Sequence, residues 1–147
     1  KENLTALVSE LGIAGEVQFL GRLDVEAMAC LYRTADLVVN PSRVDNTPNS
    51  ILEALATGIP VVSTSVGGIP DLVQHAETAW LVSPESAKDL AAGIRTLLES
   101  PEICNRLSWN GALLANQCSW PQVKERWLMA YRQAITASRA VQDSSSA

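Results

Sequence analysis

The chain has 147 residues, a hydrophobic fraction of 47% and a formal net charge of −5 at pH 7. This length and composition predict one globular domain with a core of its own, too small to hold a two-domain enzyme. The acidic balance argues against a nucleic-acid partner, no apolar run is long enough for a membrane span, and the polar start does not resemble a secretion signal. We therefore expect a cytoplasmic domain.

Cysteine and histidine limit the chemistry that the chain can support. Cys30, Cys104 and Cys118 lack the paired spacing of a zinc site or a redox motif, which favours reduced structural thiols. His75 is the only histidine, so a catalytic triad or a histidine-rich metal site would have to be built around it alone. The sequence therefore predicts no metal site, and we interpret His75 as a solvated loop residue.

The first half of the chain predicts an alternation of helices and buried strands. A first helix ends near Gly12, and Asp24 can cap a second one. A third helix, Pro48–Thr57, has Thr47 as its expected cap, because Pro48 fits a first helical position where a missing N–H costs nothing. Short apolar runs between the helices predict four strands: Val17–Leu20, Leu37–Val39, Pro60–Ser63 and Ala79–Val82.

The second half of the chain is predominantly helical in pattern. A helix begins near Ile69, an apolar stripe follows Ser86, and Pro101 can open the next helix. Ser119 has capping-box spacing to a glutamine three residues later, which predicts the start of a final helix. On that helix Trp127 shares a face with other apolar residues, so we expect it to pack against the domain.

These elements predict an α/β fold: an incomplete Rossmann-like parallel sheet of about four strands, flanked by helices, with a helical C-terminal part. We expect residues 1–136 to form the domain. Residues 137–147 lack apolar anchors and are expected to be a mobile tail. Ligands of such sheets bind beyond the carboxyl ends of the strands, which directs attention to the segment after Val39.

That segment carries a family resemblance. Asp45 and Glu53 are separated by seven residues, and the sequences Gly58-Ile59-Pro60-Val61-Val62 and Gly67-Gly68-Ile69-Pro70-Asp71 follow in order. Over residues 3–135 the chain resembles the nucleotide-sugar-binding half of the retaining GT-B glycosyltransferases, the glycosyl transferases group 1 family. In that family two more strand-helix steps and an acceptor-binding domain come first, and we expect both to be missing here.

The resemblance implies retaining transfer of a sugar from a nucleoside-diphosphate sugar, UDP- or GDP-linked, to a glycan, lipid-linked or small-molecule acceptor, with no obligatory cofactor or metal. Glu53 would accept hydroxyl hydrogen bonds from the ribose, and Asp45 would contact the transferred sugar. Donor contacts are also expected at the helix start and the glycine turn, from Asn49, Ser50, Ile51, Gly67 and Gly68.

Each of these roles has a plain structural alternative. Glu53 could be a solvated helix charge, and the residues at the helix start could be ordinary polar groups. Asp45 stands where the family usually has Glu, so an Asx-type loop role competes with sugar contact. A tight strand-to-helix turn would also explain Gly67 and Gly68. Arg43 borders the same cleft, where a lone arginine is more often solvated.

Absence of two central strands would leave sheet edges open. We expect direct pairing of Val17–Leu20 with Leu37–Val39, strand exchange between copies in a homo-oligomer, or a fragment of a longer protein. Without the acceptor-binding domain we expect donor binding at best and no transferase turnover. One alternative is a non-catalytic remnant that serves as an interaction module. Another is an NAD- or nucleotide-dependent enzyme, disfavoured because no G-x-G-x-x-G follows a first strand.

Overall fold

The computed structural model describes residues 2–145. In chain order its elements are α1 (Glu2–Glu10), α2 (Val25–Thr34), β1 (Val38–Asn40), α3 (Asn49–Ala56), β2 (Val61–Thr64), α4 (Ile69–Leu72), β3 (Trp80–Val82), α5 (Ala87–Glu99), α6 (Pro101–Gln117) and α7 (Trp120–Ser145). The α/β class predicted from the sequence is confirmed. Over these residues no helix combines the length and the hydropathy needed to cross a membrane.

The three strands form one parallel sheet in the order β1-β2-β3. Val38 of β1 lies opposite Val61 of β2, and Val62 of β2 lies opposite Trp80 of β3. The central strand β2 is buried along its whole length, as expected for a parallel strand covered on both faces. Because all three strands run the same way, their carboxyl ends share one edge of the sheet.

The core lies on both sides of β2. Val61 belongs to a cluster that includes Ile51 and Leu55 of α3, whereas the next residue, Val62, belongs to a cluster with Leu97 and Leu107. This alternation follows from the period of two in a strand. On α3 the buried positions recur at helical spacing, which turns one face of the helix into the core and leaves the opposite face for solvent.

The prediction of a strand at Val17–Leu20 is wrong. That segment has no ladder partner among the described residues, so the sheet has three strands rather than about four, and the expected pairing with β1 does not form. Phe19 and Leu20 are 40% and 42% exposed. An isolated strand leaves its backbone groups without partners, so an apolar run alone does not specify one.

Helix starts were predicted with mixed success. The Asp24 carboxylate accepts from the Ala27 N–H at 2.8 Å and caps α2 as predicted. In contrast, the cap of α3 is Pro48 and not Thr47, and no side chain caps this helix. The helix therefore spans Asn49–Ala56, with Pro48 just before its first turn in an extended conformation. The other three predicted strands are present, each beginning one residue later than expected.

Helix α7 continues to Ser145, so residues 137–145 of the segment expected to be a mobile tail have a helical backbone. Residues 146 and 147 of that segment lie outside the described residues. Trp127 was expected to pack against the domain, but it is 52% exposed and its ring contacts only Tyr131 among the described aromatic rings, with centroids 5.8 Å apart.

His75 lies in an exposed loop, as interpreted, but it also has a local structural contact. Its Nδ1 atom accepts the N–H of Leu81 in β3 at 3.1 Å, and its ring centroid lies 4.8 Å from that of Trp80. The imidazole therefore satisfies a backbone donor next to an edge strand. This hydrogen bond gives His75 a structural role rather than a chemical one.

Candidate functional site

The candidate site lies at the carboxyl edge of the sheet, in the loop that joins β1 to α3. This loop carries Asp45 and runs directly into the first turn of α3. The turn after β2, which contains Gly67 and Gly68, packs against it. The sequence-predicted residues therefore meet at the edge where parallel sheets bind their ligands.

The two glycines are required by contact with the loop backbone. The Gly68 N–H donates to the Asp45 carbonyl oxygen at 3.2 Å. A β-carbon on Gly67 would overlap that same oxygen, and one on Gly68 would overlap the carbonyl oxygen of Asn46. Gly67 also has a φ of +52°, a region that favours glycine. The glycine turn thus clamps the backbone that carries Asp45, a role that the sequence did not indicate.

The Asp45 side chain lies beside Ser42 and Asn40. The Ser42 hydroxyl lies 2.7 Å from Asn40 Oδ1 and 3.4 Å from Asp45 Oδ2. The Thr64 hydroxyl donates to the Ser42 carbonyl oxygen at 2.6 Å, which ties the loop to the end of β2. An Asx turn would require the Asp45 carboxylate to accept a hydrogen bond from the backbone N–H two residues further on. Among the described residues it accepts no such bond. The half-buried carboxylate retains acceptor capacity.

The first turn of α3 presents free amides beside this loop. Within the described part of the chain, the N–H groups of Asn49 and Ser50 have no protein acceptor, and both residues are exposed. The Ile51 N–H donates to the Pro48 carbonyl at 3.1 Å, and the Ile51 side chain is fully buried. Two unsatisfied donors at the positive end of a helix dipole form a favourable place for an anion.

Glu53 lies one turn further along α3 and contacts Tyr32. The phenol of Tyr32 donates to Glu53 Oε2 at 3.4 Å and lies 3.5 Å from the Ser50 carbonyl oxygen. Burial raises the pKa of Tyr32 above its usual value, and the Glu53 carboxylate raises it further by its charge and by the hydrogen bond. Tyr32 is therefore a neutral donor to Glu53 at physiological pH.

A cavity of about 410 Å³ opens beside Glu53 between α2 and α3. Its lining is mostly apolar, and besides Glu53 the residues that bring a charge or a hydroxyl to it are Asp24, Tyr32 and Thr57. Glu53 itself is exposed. A mostly apolar cavity with a few polar groups on its margin is the common form of a small-molecule site.

Arg43 makes an ion pair across the same edge. Its Nε atom lies 3.8 Å from Glu85 Oε1, with the two side chains 80% and 71% exposed. A pair this exposed contributes about 0–1 kcal/mol to stability. Arg43 is thus solvated, as the plain alternative held. The described residues contain no group of three or more His, Cys, Asp or Glu placed to hold a metal ion.

Two residues of this site were missed by sequence reasoning. Tyr32 was not singled out, although a tyrosine hydroxyl that is largely buried needs a partner. Asn40 was overlooked at the end of an apolar strand, where an amide is an unusual residue and is itself a signal of a polar contact. No hydrogen bond within residues 2–145 joins Asp45 directly to Glu53. The two residues are linked through the backbone, because the loop that carries Asp45 leads into α3, which carries Glu53.

The fold is that of the C-terminal half of a GT-B protein, and comparison with known proteins agrees. The family model for glycosyl transferases group 1 matches residues 1–113. The chain belongs to this family, which confirms the resemblance seen in the sequence.

Individual relatives extend the match. The D-inositol 3-phosphate glycosyltransferase of Actinosynnema mirum is 35% identical over 133 residues, which cover 90% of this chain and 32% of the relative. A sucrose-phosphate synthase from Thermosynechococcus elongatus aligns with a TM-score of 0.85 and 31% identity over 92% of this chain and 34% of its own. Anabaena HepE, solved in complex with UDP-glucose, aligns with a TM-score of 0.75 and 29% identity over 79% of this chain and 32% of its own. The chain therefore spans about a third of the length of the relatives it matches.

Proposed function

We propose that this chain is the donor-binding part of a glycosyltransferase that uses a UDP-sugar. The observation that carries the proposal is the meeting of the Asp45 loop, the glycine turn and the open start of α3 at one edge of the sheet. The choice of UDP over GDP is supported by HepE, a structural neighbour that was solved with UDP-glucose.

In this proposal the diphosphate binds at the start of α3. The amides of Asn49 and Ser50 would donate to phosphate oxygens, and the helix dipole would stabilise the charge that grows on the departing nucleoside diphosphate. Ile51, expected from the sequence to offer a third amide, uses its N–H on Pro48 and instead anchors the helix in the core. No metal or other cofactor is required for this stabilisation.

The ribose would bind at Glu53. A carboxylate can accept two hydroxyl hydrogen bonds with charge assistance, which suits a vicinal diol. Tyr32 holds one carboxylate oxygen, Oε2, so that the other remains directed to the ligand. The adjoining cavity of about 410 Å³ is the space into which the rest of the nucleoside would extend.

Asp45 would accept a hydroxyl of the transferred sugar. Its position between the glycine turn and α3 places it next to the proposed diphosphate site. We propose that transfer proceeds with retention and requires the acceptor-binding part of the enzyme to exclude water. The isolated chain is therefore expected to bind donor and not to turn it over. Its three free cysteines suit a reducing compartment such as the cytoplasm.

Calorimetric titration of the purified chain with UDP, GDP and UDP-glucose tests this function. Binding is expected for UDP and UDP-glucose, and Glu53→Ala should weaken both by about tenfold or more, because hydrogen bonds to a charged group contribute about 1.5–3 kcal/mol. Glu99→Ala is the matched control, since Glu99 ends α5 on the exposed surface and outside the site. Absence of binding to either nucleotide, or equal effects of the two variants, would contradict the proposal.

A second candidate function is self-association. Large apolar side chains are exposed on α7 and on the N-terminal segment, among them Trp120, Trp127, Tyr131, Leu4 and Phe19, and β1 is an edge strand. Exposed apolar surface and open strand edges both favour pairing between copies. Light scattering after size exclusion should then show a dimer at micromolar concentration. A monomer together with clear UDP binding would leave only the donor-binding function.

A further inference from the structure

Asn40 connects the buried centre of the sheet to the loop that carries Asp45. It ends β1, is half-buried, and its Nδ2 atom donates to the hydroxyl of Ser63 at 3.3 Å. Ser63 lies in β2 and is fully buried, so this contact fixes the Asn40 amide from the protein interior. The other end of the amide, Oδ1, accepts the Ser42 hydroxyl at 2.7 Å.

Ser42 has a single hydroxyl proton and two acceptors within reach. Asn40 Oδ1 lies at 2.7 Å and Asp45 Oδ2 at 3.4 Å. The shorter contact has the optimal length for an O–H donor, so the proton goes to Asn40. Asp45 is thereby left without a close side-chain donor from Ser42, although ionised carboxylates attract such donors strongly. The carboxylate remains free to accept from a ligand.

The backbone of Asp45 is fixed separately from its side chain. Gly68 donates to the Asp45 carbonyl, and Gly67 packs directly on it. With the main chain held there, the direction of the carboxylate depends on which neighbours compete for it. Asn40 decides that competition through Ser42, from a position that does not itself need to touch a ligand.

We propose that Asn40 is a positioning residue for Asp45. By holding the Ser42 proton, it keeps the Asp45 carboxylate available to a sugar hydroxyl, and so sets how strongly the site prefers a nucleotide sugar to the bare nucleotide. This rests on the proposed donor-binding function. Asn40 does not act on the diphosphate or the ribose, which bind at α3.

The test compares UDP with UDP-glucose on the same variants of the whole chain. In Asn40→Leu the Ser42 proton is released to Asp45 Oδ2 and draws the carboxylate toward Ser42 and out of line with the sugar, so the affinity for UDP-glucose should fall by up to about tenfold, the loss expected for one hydrogen bond to a charged group, while the affinity for UDP changes less than twofold. Equal losses for both ligands would mean a merely structural role and would overturn the proposal.

A double-mutant cycle shows whether the effect passes through Ser42. In the Ser42→Ala background the contested proton is absent, so adding Asn40→Leu should not change the ratio of UDP-glucose to UDP affinity further. A further loss as large as that seen with Ser42 intact would contradict the mechanism. If Asn40→Leu fails to fold, Asn40→Ser removes the amide without adding an apolar side chain and allows the same comparison.

A crystal structure of the unliganded Asn40→Leu variant decides the matter without any ligand. The distance from Ser42 Oγ to Asp45 Oδ2 should shorten from 3.4 Å to about 2.7 Å, the length of a charge-assisted hydroxyl bond. An unchanged distance would overturn the positioning role. If the wild-type chain binds neither UDP nor UDP-glucose, the proposed function fails, and this distance still tests the role of Asn40.

Discussion

Replacing Gly67 with alanine should displace the Asp45 loop, and Gly58 provides a matched control. Both glycines have positive φ, +52° at Gly67 and +75° at Gly58. A β-carbon at Gly58 meets nothing within 4 Å, whereas one at Gly67 overlaps the backbone oxygen of Asp45. Comparing Gly67→Ala with Gly58→Ala therefore separates the cost of the backbone conformation from the cost of the contact.

The magnitudes follow from these two terms. A left-handed conformation costs a residue with a β-carbon about 1–2 kcal/mol, and this term is common to both variants. Forcing an extra carbon into a packed contact adds about 1–3 kcal/mol, and this term applies only to Gly67→Ala. The free energy of unfolding should therefore fall by about 2–5 kcal/mol in Gly67→Ala and by about 1–2 kcal/mol in Gly58→Ala.

Urea unfolding measures the two stabilities, and titration with UDP-glucose measures the site. Because the Asp45 backbone must move to accommodate the new carbon, Gly67→Ala should also weaken UDP-glucose binding at temperatures where it is folded, while Gly58→Ala should not. Equal destabilisation of the two variants, or unchanged sugar binding in a folded Gly67→Ala, would refute the clamp between the glycine turn and Asp45.

Three further predictions concern single contacts. Removing the Tyr32 hydroxyl in Tyr32→Phe should weaken UDP binding a few-fold, because Glu53 loses the group that holds it. Folding raises the pKa of Tyr32, so the stability of the wild-type chain should decline above the ordinary tyrosine pKa of about 10. The same decline in alkaline urea titrations of Tyr32→Phe would contradict this pH dependence. Ile51→Ala should cost about 2–5 kcal/mol in urea unfolding, since the side chain is fully buried, and a loss below about 1 kcal/mol would contradict its anchoring role. Arg43→Ala should change stability by less than about 0.5 kcal/mol, and a larger loss that depends on Glu85 in a double-mutant cycle would show that the ion pair matters.

Sequence reasoning worked best where structure is local. The cap at Asp24 was identified because a short polar side chain before an apolar stripe has few other roles; its carboxylate accepts from the Ala27 N–H at 2.8 Å. The central strand was located to within one residue because its apolar run is bounded by Pro60 and followed by a glycine turn. Such signals depend on neighbours within a few positions.

Sequence reasoning failed where contact with a distant segment decides the local structure. Val17–Leu20 has the composition of a strand, yet no strand lies beside it among residues 2–145, and composition does not supply one. Which of the two residues Thr47 and Pro48 caps α3 depends on how the preceding loop enters the helix. The α3 cap was therefore misassigned by one residue.

The site was predicted in part for the same reason. Asp45, Glu53 and the glycine pair were selected by their order and spacing, and the structure brings Asp45 and the glycine pair together. The contact itself joins segments more than 20 residues apart, so its atomic form was not accessible from the pattern. Tyr32 acts through a side-chain hydrogen bond to Glu53, and Asn40 accepts one from Ser42 beside Asp45; periodicity reports neither contact.

The location of the donor site can be measured directly by NMR. In a ¹⁵N-labelled sample of this 15.8 kDa chain, titration with UDP should shift the amide signals of Asn49 and Ser50 most strongly, because their free N–H groups would gain phosphate acceptors. Smaller shifts should appear at Gly67 and Gly68, and signals from the distant end of α5 should stay in place. Saturable shifts centred away from the start of α3, or none at millimolar UDP, would contradict a donor site at this edge of the sheet.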